Sequence, residues 1–286
     1  MSIVTLREAL ADAEKRKYAI GCHNVGGFEA IKGIILAAEA ERAPVIMGIT
    51  EAQLGDRIPL DTLAGMLVSE AKKAKVPVVI HLDHGETFET IKKAIDLGFS
   101  SVMYDGSKLP FEENIRTTKE VAEYARKKGV SLEAEIGEMT ATDGGEGQGG
   151  GGHGAFTDPA RAKDFAQRSG VDALAVSYGS VHGLHAVKPA LDFALLGRID
   201  ASVDIPLVLH GGSGLLPEDY RKSIELGIRK INYVSFGYNE VAKRLKRRID
   251  EDKEAPLYWR YSDWAIDCFR DVFRETMRMF GSSGKA

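Results

Sequence analysis

The 286-residue chain predicts an α/β fold, a (β/α)8 TIM barrel with an extra C-terminal helix. Three observations carry that expectation. Short apolar runs rich in Val, Ile and Leu alternate with longer helical patterns from end to end. Eight such strand–helix units follow one another at intervals of about 25–35 residues. Several of the runs close on His, Asp or Gly, where a parallel α/β protein places its chemistry. An open doubly wound sheet is the competing architecture. It would usually show fewer strands and a phosphate fingerprint after the first, and no GxGxxG follows Tyr18–Val25.

The amino terminus, MSIVTLREALADAEKRK, reads as an amphipathic helix. Strands are expected at Tyr18–Val25, Val45–Thr50, Val76–His84, Ser101–Gly106, Ser131–Gly137, Ala173–Gly179, Pro206–Gly211 and Lys230–Ser235. Helices are expected at Glu29–Glu41, Leu60–Lys73, Thr87–Leu97, Glu112–Lys128, Pro217–Leu226 and Tyr238–Asp250. Two segments fall outside the repeat. The glycine-dense stretch within 139–156 can form no stable helix or strand, because glycine loses so much backbone entropy on ordering. A plain surface insertion would satisfy that composition, but its place after the fifth strand predicts a mobile lid over the catalytic end. The tail, 256–286, holds an amphipathic helix at Ser262–Phe280 that would pack on its own barrel or on a neighbouring subunit. The whole chain, 1–286, is read as one barrel domain.

Composition narrows the function. An apolar fraction of 44% and a charged fraction of 28% are ordinary globular values. The net charge of −4 is spread along the chain, so no single-sign field calls for nucleic acid or a membrane surface. The basic run Lys243 to Arg248 is followed at once by Asp250, Glu251 and Asp252 and reads as a solvated helix face. Cys22 and Cys268 form no disulfide framework, the N-terminus has no signal-peptide core, and no run approaches the ~20 apolar residues of a membrane span. A cytoplasmic protein is expected.

The chemistry-bearing residues gather at strand ends. Seven histidines are present, and four of them lie at or just past a strand C-terminus. His81 and His84 end the third strand in His81-Leu82-Asp83-His84, His182 follows the sixth, and His210 ends the seventh. A lone strand-end histidine is usually structural. Three from different strands, each flanked by glycine, can meet around one divalent ion and leave a coordination position open. Acids converge on the same end: Asp83, Asp105, then Glu133 and Glu135 on one face of the fifth strand, with Glu138 just beyond. Singly, each could be a capping or salt-bridged carboxylate. An acid beside a metal-binding histidine is placed to act as a base. Gly211-Gly212-Ser213-Gly214 after the seventh strand, with Asn232 in the eighth, marks a phosphate site of the kind barrels build there.

HLDHG at 81–85, SVMYDGS at 101–107, EAEIG at 133–137, GSVHG at 179–183, LVLHGGSG at 207–214 and KIN at 230–232 together resemble the class II, metal-dependent fructose-bisphosphate and tagatose-bisphosphate aldolases, over nearly the whole chain. The resemblance implies a lyase that reversibly cleaves a ketose (1,6-bis)phosphate into dihydroxyacetone phosphate and an aldehyde. It implies Zn2+ on His84, His182 and His210, one divalent ion per subunit, with Asp105 and Glu135 around an alternative metal position and a monovalent cation as a further ion. Asp83 would transfer the proton, Asn232 would stabilise the enediolate, and Glu138 or the glycine loop would assist its protonation. Asn24, Thr50, Gly183, Lys188, Gly211, Gly212, Ser213, Asn232, Ser235 and Arg260 would hold the sugar phosphate. A homodimer or homotetramer is implied, with no nucleic acid or membrane partner. A barrel aldolase can instead use a Schiff-base lysine, but no lysine reads as mid-strand in an apolar pocket.

The pattern departs from the family at three places. Gly26-Gly27 replaces a polar pair after Asn24. Tyr233 and Phe236 are unusual in the eighth strand. Ala255-Pro256-Leu257-Tyr258-Trp259-Arg260 stands where relatives carry Asp-Pro-Arg, whose arginine reaches a distal phosphate. The substrate's far end is therefore expected to differ, as an unphosphorylated, deoxy or acid sugar in a ketose 1-phosphate. Two other classes remain at this point: a barrel metallohydrolase using the same histidines, and a non-catalytic sugar-phosphate sensor.

Overall fold

Eight parallel strands pair in sequence order, and β8 closes on β1. The computed structural model describes residues 2–55, 58–137, 156–184 and 188–286. The strands are β1 Ile20–Asn24, β2 Val45–Thr50, β3 Val78–Gly85, β4 Ser101–Tyr104, β5 Ser131–Ile136, β6 Ala173–Val176, β7 Leu207–Leu209 and β8 Ile228–Asn232. Ten α-helices are described: α1 Leu6–Arg16, α2 Phe28–Glu41, α3 Leu60–Lys73, α4 Phe88–Asp96, α5 Phe111–Lys127, α6 Pro159–Ser169, α7 Phe193–Asp200, α8 Pro217–Glu225, α9 Ser235–Glu251 and α10 Tyr258–Met279. The expected (β/α)8 barrel with an added C-terminal helix is the observed architecture. The glycine-dense stretch and Glu138 lie outside the described residues.

Side-chain alternation along each strand sorts the core into two clusters. Outward residues such as Val45, Met47, Ile80, Leu82, Leu132, Ala134 and Leu209 pack against the ring of helices. Inward residues such as Ile20, Cys22, Ile46, Val79, Ala173, Ala175 and Val208 fill the barrel and meet Leu6, Leu10 and Ala13 of α1. Helix α1 therefore plugs the N-terminal end. Its start is fixed by a capping box, in which Thr5 Oγ1 accepts from Glu8 N at 3.2 Å and Glu8 Oε2 accepts from Thr5 N at 2.8 Å. With one end plugged and the interior packed, only the C-terminal mouth is left for chemistry.

Helix α10 begins one turn before the expected Ser262 and packs on its own barrel. Gly33 of α2 lets it come close, since a Cβ there would stand 2.4 Å from Phe269 Cβ. Half-buried Glu41 accepts hydrogen bonds from Arg274 and Arg278 and from Ser283, which ties α10 and the tail to α2. Strand β8 starts two residues before the expected Lys230 and ends at Asn232, three before the expected Ser235. Ser235 is accordingly the first residue of α9 rather than the end of a strand.

Candidate active site

Asp83 and His84 are neighbours in sequence, so a regular strand would turn one of them away from the barrel. The structure avoids this with an irregularity in β3: its register against β4 shifts between Leu82 and Gly85. His84 sits there in the left-handed region at φ 48°, a conformation that costs a non-glycine residue about 1–2 kcal/mol. Gly85 is required beside it, because a Cβ would meet Met103 O at 2.6 Å. The local strain delivers a carboxylate and an imidazole together to the mouth of the barrel.

Around His84 the three strand-end histidines converge. Ring centroids are 4.7 Å apart for His84 and His210, 5.3 Å for His84 and His182, and 5.9 Å for His182 and His210. One ligand atom from each lies within 4.8 Å of the others, and the same holds for His84, Asp105 and Glu135. The outer partners set the tautomers. His84 Nδ1 bonds Asp105 Oδ2 at 2.8 Å, and His210 Nε2 bonds Glu133 Oε1 at 2.8 Å. Each carboxylate accepts from a proton-bearing nitrogen, so with both imidazoles neutral His84 Nε2 and His210 Nδ1 face each other with lone pairs at 3.0 Å. Two such lone pairs repel unless a cation stands with them.

The charges tell the same story. Burial opposes a charge on His84, but Asp83 and hydrogen-bonded Asp105 outweigh it and lift the imidazole to about 9, so a proton supplies the positive charge. Burial pushes Glu135 up to about 8, with repulsion from Asp105 adding to it, and Glu135 Oε2 has no hydrogen-bond partner among the described residues. Burial, together with the charge of His84, takes His182 down to about 4, so this imidazole is neutral at pH 7 and has a ligand lone pair. The donor set is three imidazoles with two carboxylates within reach, and it fits a divalent ion.

Asp83 is buried beside this cluster. Its Oδ2 accepts from Asn24 Nδ2 at 2.8 Å and its Oδ1 from Asn232 Nδ2 at 3.0 Å. Burial resists its ionisation, yet the charges of His84 and Lys230 prevail and hold the carboxyl well below its ordinary range. Asp83 is therefore an ionised carboxylate oriented by two amides. Asn24 itself is positioned by Gly48, where a Cβ would stand 2.1 Å from Asn24 Oδ1.

A cleft of about 210 Å³ opens over these groups. Its lining includes Asn24, Thr50, Asp83, His84, His182, Gly183, Gly211, Ser213, Asn232 and Ser235. One side is formed by glycines and hydroxyls of the loop after β7 and the start of α9. Gly211 turns the chain at φ 61°, and a Cβ there would lie 2.7 Å from the Val181 carbonyl carbon. Ser213 Oγ accepts from Val234 N at 3.1 Å, tying the loop after β7 to the start of α9. The N-terminus of that 17-residue helix thus borders the cleft.

A family model described as class II fructose-bisphosphate aldolase matches residues 4–285. The chain belongs to that family. It is 38% identical over 289 residues to a fructose-bisphosphate aldolase of Staphylococcus aureus, covering 100% of each. It is 39% identical over 291 residues to the fructose-bisphosphate aldolase of Geobacillus stearothermophilus, covering 100% of this chain and 99% of that one. Among solved structures it matches the YdjI aldolase of Escherichia coli K12 with a TM-score of 0.88 at 34% identity, covering 99% of each chain. The chain is thus a class II aldolase, a metal-dependent lyase of sugar phosphates, and the hydrolase and sensor readings give way.

Several residues of this aldolase stand elsewhere than the sequence suggested. Lys230 is a mid-strand lysine after all, since β8 begins at Ile228, and it is fully buried. Its amine is no Schiff-base nucleophile. Burial works against its charge, but Glu133 at 2.9 Å overrides this and holds it protonated below the cleft. Lys188 does not line the cleft; it pairs with Asp219 at 2.8 Å. Gly212 lies behind the loop, against Ile231 and Asn232. Arg260 is engaged by Asp252 at 2.6 Å, by Glu254 and by the Ala255 carbonyl at 2.6 Å, away from the cleft. His81 lies one layer below Asp83, its Nδ1 2.8 Å from Ser101 Oγ. In the sequence Glu133 carries no assigned role and Lys230 goes unmarked; their signal is a pair of opposite charges, one on the fifth strand and one on the eighth.

Proposed function

We propose that this aldolase, loaded with Zn2+, reversibly cleaves a ketose 1-phosphate between C3 and C4, giving dihydroxyacetone phosphate and an aldehyde. The observation that carries the reading is an ionised, amide-oriented Asp83 beside three convergent imidazoles. His84, His182 and His210 would hold the ion, with Asp105 and Glu135 serving its alternative position. When bound, the ion supplies Lewis acidity to the ketone oxygen. Asp83 accepts the C4 hydroxyl proton as the C3–C4 bond breaks, and Asn24 and Asn232 keep its carboxylate in place. The Asn232 amide also faces the developing enediolate of the ketone half. Glu138 remains the proposed proton donor to that enediolate. Gly183, Gly211, Ser213, Ser235 and the N-terminus of α9 receive the 1-phosphate through backbone N–H groups and hydroxyls, while Thr50 borders the sugar.

The names of the relatives support fructose or tagatose 1,6-bisphosphate as the substrate. One observation favours a substrate without the distal phosphate: among the described residues no Lys or Arg lines the cleft, and Arg260 is held by Asp252 and Glu254. Steady-state comparison of both bisphosphates with ketose 1-phosphates decides between them. A kcat/KM for a bisphosphate more than about tenfold above every 1-phosphate would sink the second reading. A cytoplasmic homodimer or homotetramer is part of the proposal, supported by the exposed Leu257, Tyr258 and Trp259 at the start of α10; light scattering tests the assembly.

A further inference from the structure

Beneath the three histidines lies a charged pair that no step of the proposed reaction uses. Glu133 of β5 and Lys230 of β8 are both fully buried and meet across the barrel interior. Lys230 Nζ donates to Glu133 Oε1 at 2.9 Å, and the same oxygen is 2.8 Å from His210 Nε2. Cys22, Ala175 and Val208 show what inward positions of this barrel otherwise carry. Such a pair is weak support for stability, because apolar residues of similar volume do as well or better in its place. Its geometry points to the histidine instead. An imidazole binds a cation only through the nitrogen without a proton, and a carboxylate at Nε2 selects the tautomer whose free nitrogen is Nδ1. That Nδ1 is the atom turned toward His84 Nε2. Glu133 Oε2 has no hydrogen-bond partner among the described residues and stands 3.8 Å from His81 Nε2. Lys230 is therefore what anchors the carboxylate under His210 rather than letting it swing toward His81.

We propose that Glu133, anchored by Lys230, is a positioning pair that locks His210 as its Nε2–H tautomer and aims Nδ1 at the divalent ion. The inference rests on the three-histidine metal reading, and the two fail separately. The experiment measures zinc affinity of the intact chain by competition with a chromophoric chelator, together with 15N-histidine NMR of the tautomer. The wild type takes up one zinc per chain, and His84→Ala loses it; failure of both would end the metal reading and this inference with it. The double variant Glu133→Leu/Lys230→Met, which removes both charges, binds zinc about 10–100-fold more weakly with unchanged circular dichroism. Glu133→Gln, which keeps an acceptor oxygen for His210, stays within about threefold of wild type. Zinc affinity of the double variant within about twofold of wild type would make the pair merely structural and overturn the inference while leaving the metal site standing. Should the double variant fail to fold, the wild-type spectrum decides: an Nε2–H imidazole at His210 supports the inference, and an Nδ1–H imidazole overturns it.

Discussion

Replacing Asp83 by Asn separates proton transfer from structure. Asp83 accepts from two amide NH2 groups, at 2.8 Å from Asn24 and 3.0 Å from Asn232. An asparagine there offers one oxygen and one NH2, so one neighbour would face a donor against a donor. Relief is at hand, since Asn24 Oδ1 and Asn232 Oδ1 both lack partners among the described residues and either amide can turn over. The structural loss is then the exchange of charge-assisted for neutral hydrogen bonds, about 1–2 kcal/mol. Turnover loses its general base, a factor of about 10²–10⁴, or about 3–5 kcal/mol in the barrier. The assay couples dihydroxyacetone phosphate release to an NADH-dependent reductase and reads kcat and KM separately, with zinc content measured alongside. Both kcat and kcat/KM should fall together at near-normal KM and zinc content. A loss of less than about tenfold would refute the role given to Asp83.

Three other perturbations probe distinct parts of the molecule. Gly211→Ala forces a Cβ to within 2.7 Å of the Val181 carbonyl carbon at a positive φ; it should cost about 2 kcal/mol in denaturant unfolding and raise KM for the phosphorylated substrate. Glu41→Gln removes the carboxylate that the hydrogen bonds of Arg278, against some burial, and then those of Arg274 and Ser283 draw down from 4.5 to about 2. Because the folded value is the lower one, its stabilisation is full above about pH 4.5 and is lost as pH falls toward 2. At pH 7 the variant should be about 2 kcal/mol less stable, and urea titrations of the two proteins should converge in acid. Arg260→Ala should leave kcat/KM for the preferred substrate within about twofold, since its guanidinium is taken up by Asp252 and Glu254; a loss confined to bisphosphates would show instead that it reaches a distal phosphate.

Local pattern made much of this architecture legible. β2 at Val45–Thr50 and α3 at Leu60–Lys73 match their sequence-based limits, because β-branched runs and amphipathic spacing need no tertiary help. The convergence of His84, His182 and His210 followed from the barrel itself, which brings every strand end to one mouth. What escaped depends on contacts between distant strands. Strand β8 starts two residues before the expected Lys230, directly after Gly227 at φ 95°, because the charged Arg229 interrupts the apolar run there. That slip concealed Lys230 as a mid-strand residue and with it the pairing to Glu133 across the barrel. The irregularity in β3 escaped for a similar reason: only its pairing with β4 displays the shift that brings Asp83 and His84 to the same side. Arg260 read as a substrate ligand by its place near a family motif, whereas Asp252 and Glu254, close in sequence, claim it.

Enolisation of the ketone half tests the account most directly, because it needs neither the aldehyde nor knowledge of the substrate's far end. The zinc-loaded enzyme, incubated with dihydroxyacetone phosphate alone in D2O, should exchange one hydrogen at the hydroxyl-bearing carbon, followed by proton NMR. Chelation should stop the exchange, added zinc should restore it, and borohydride should trap no adduct on Lys230. Exchange that persists without metal, or none from the zinc-loaded enzyme, would contradict the assignment of His84, His182 and His210 to the ion that activates the substrate.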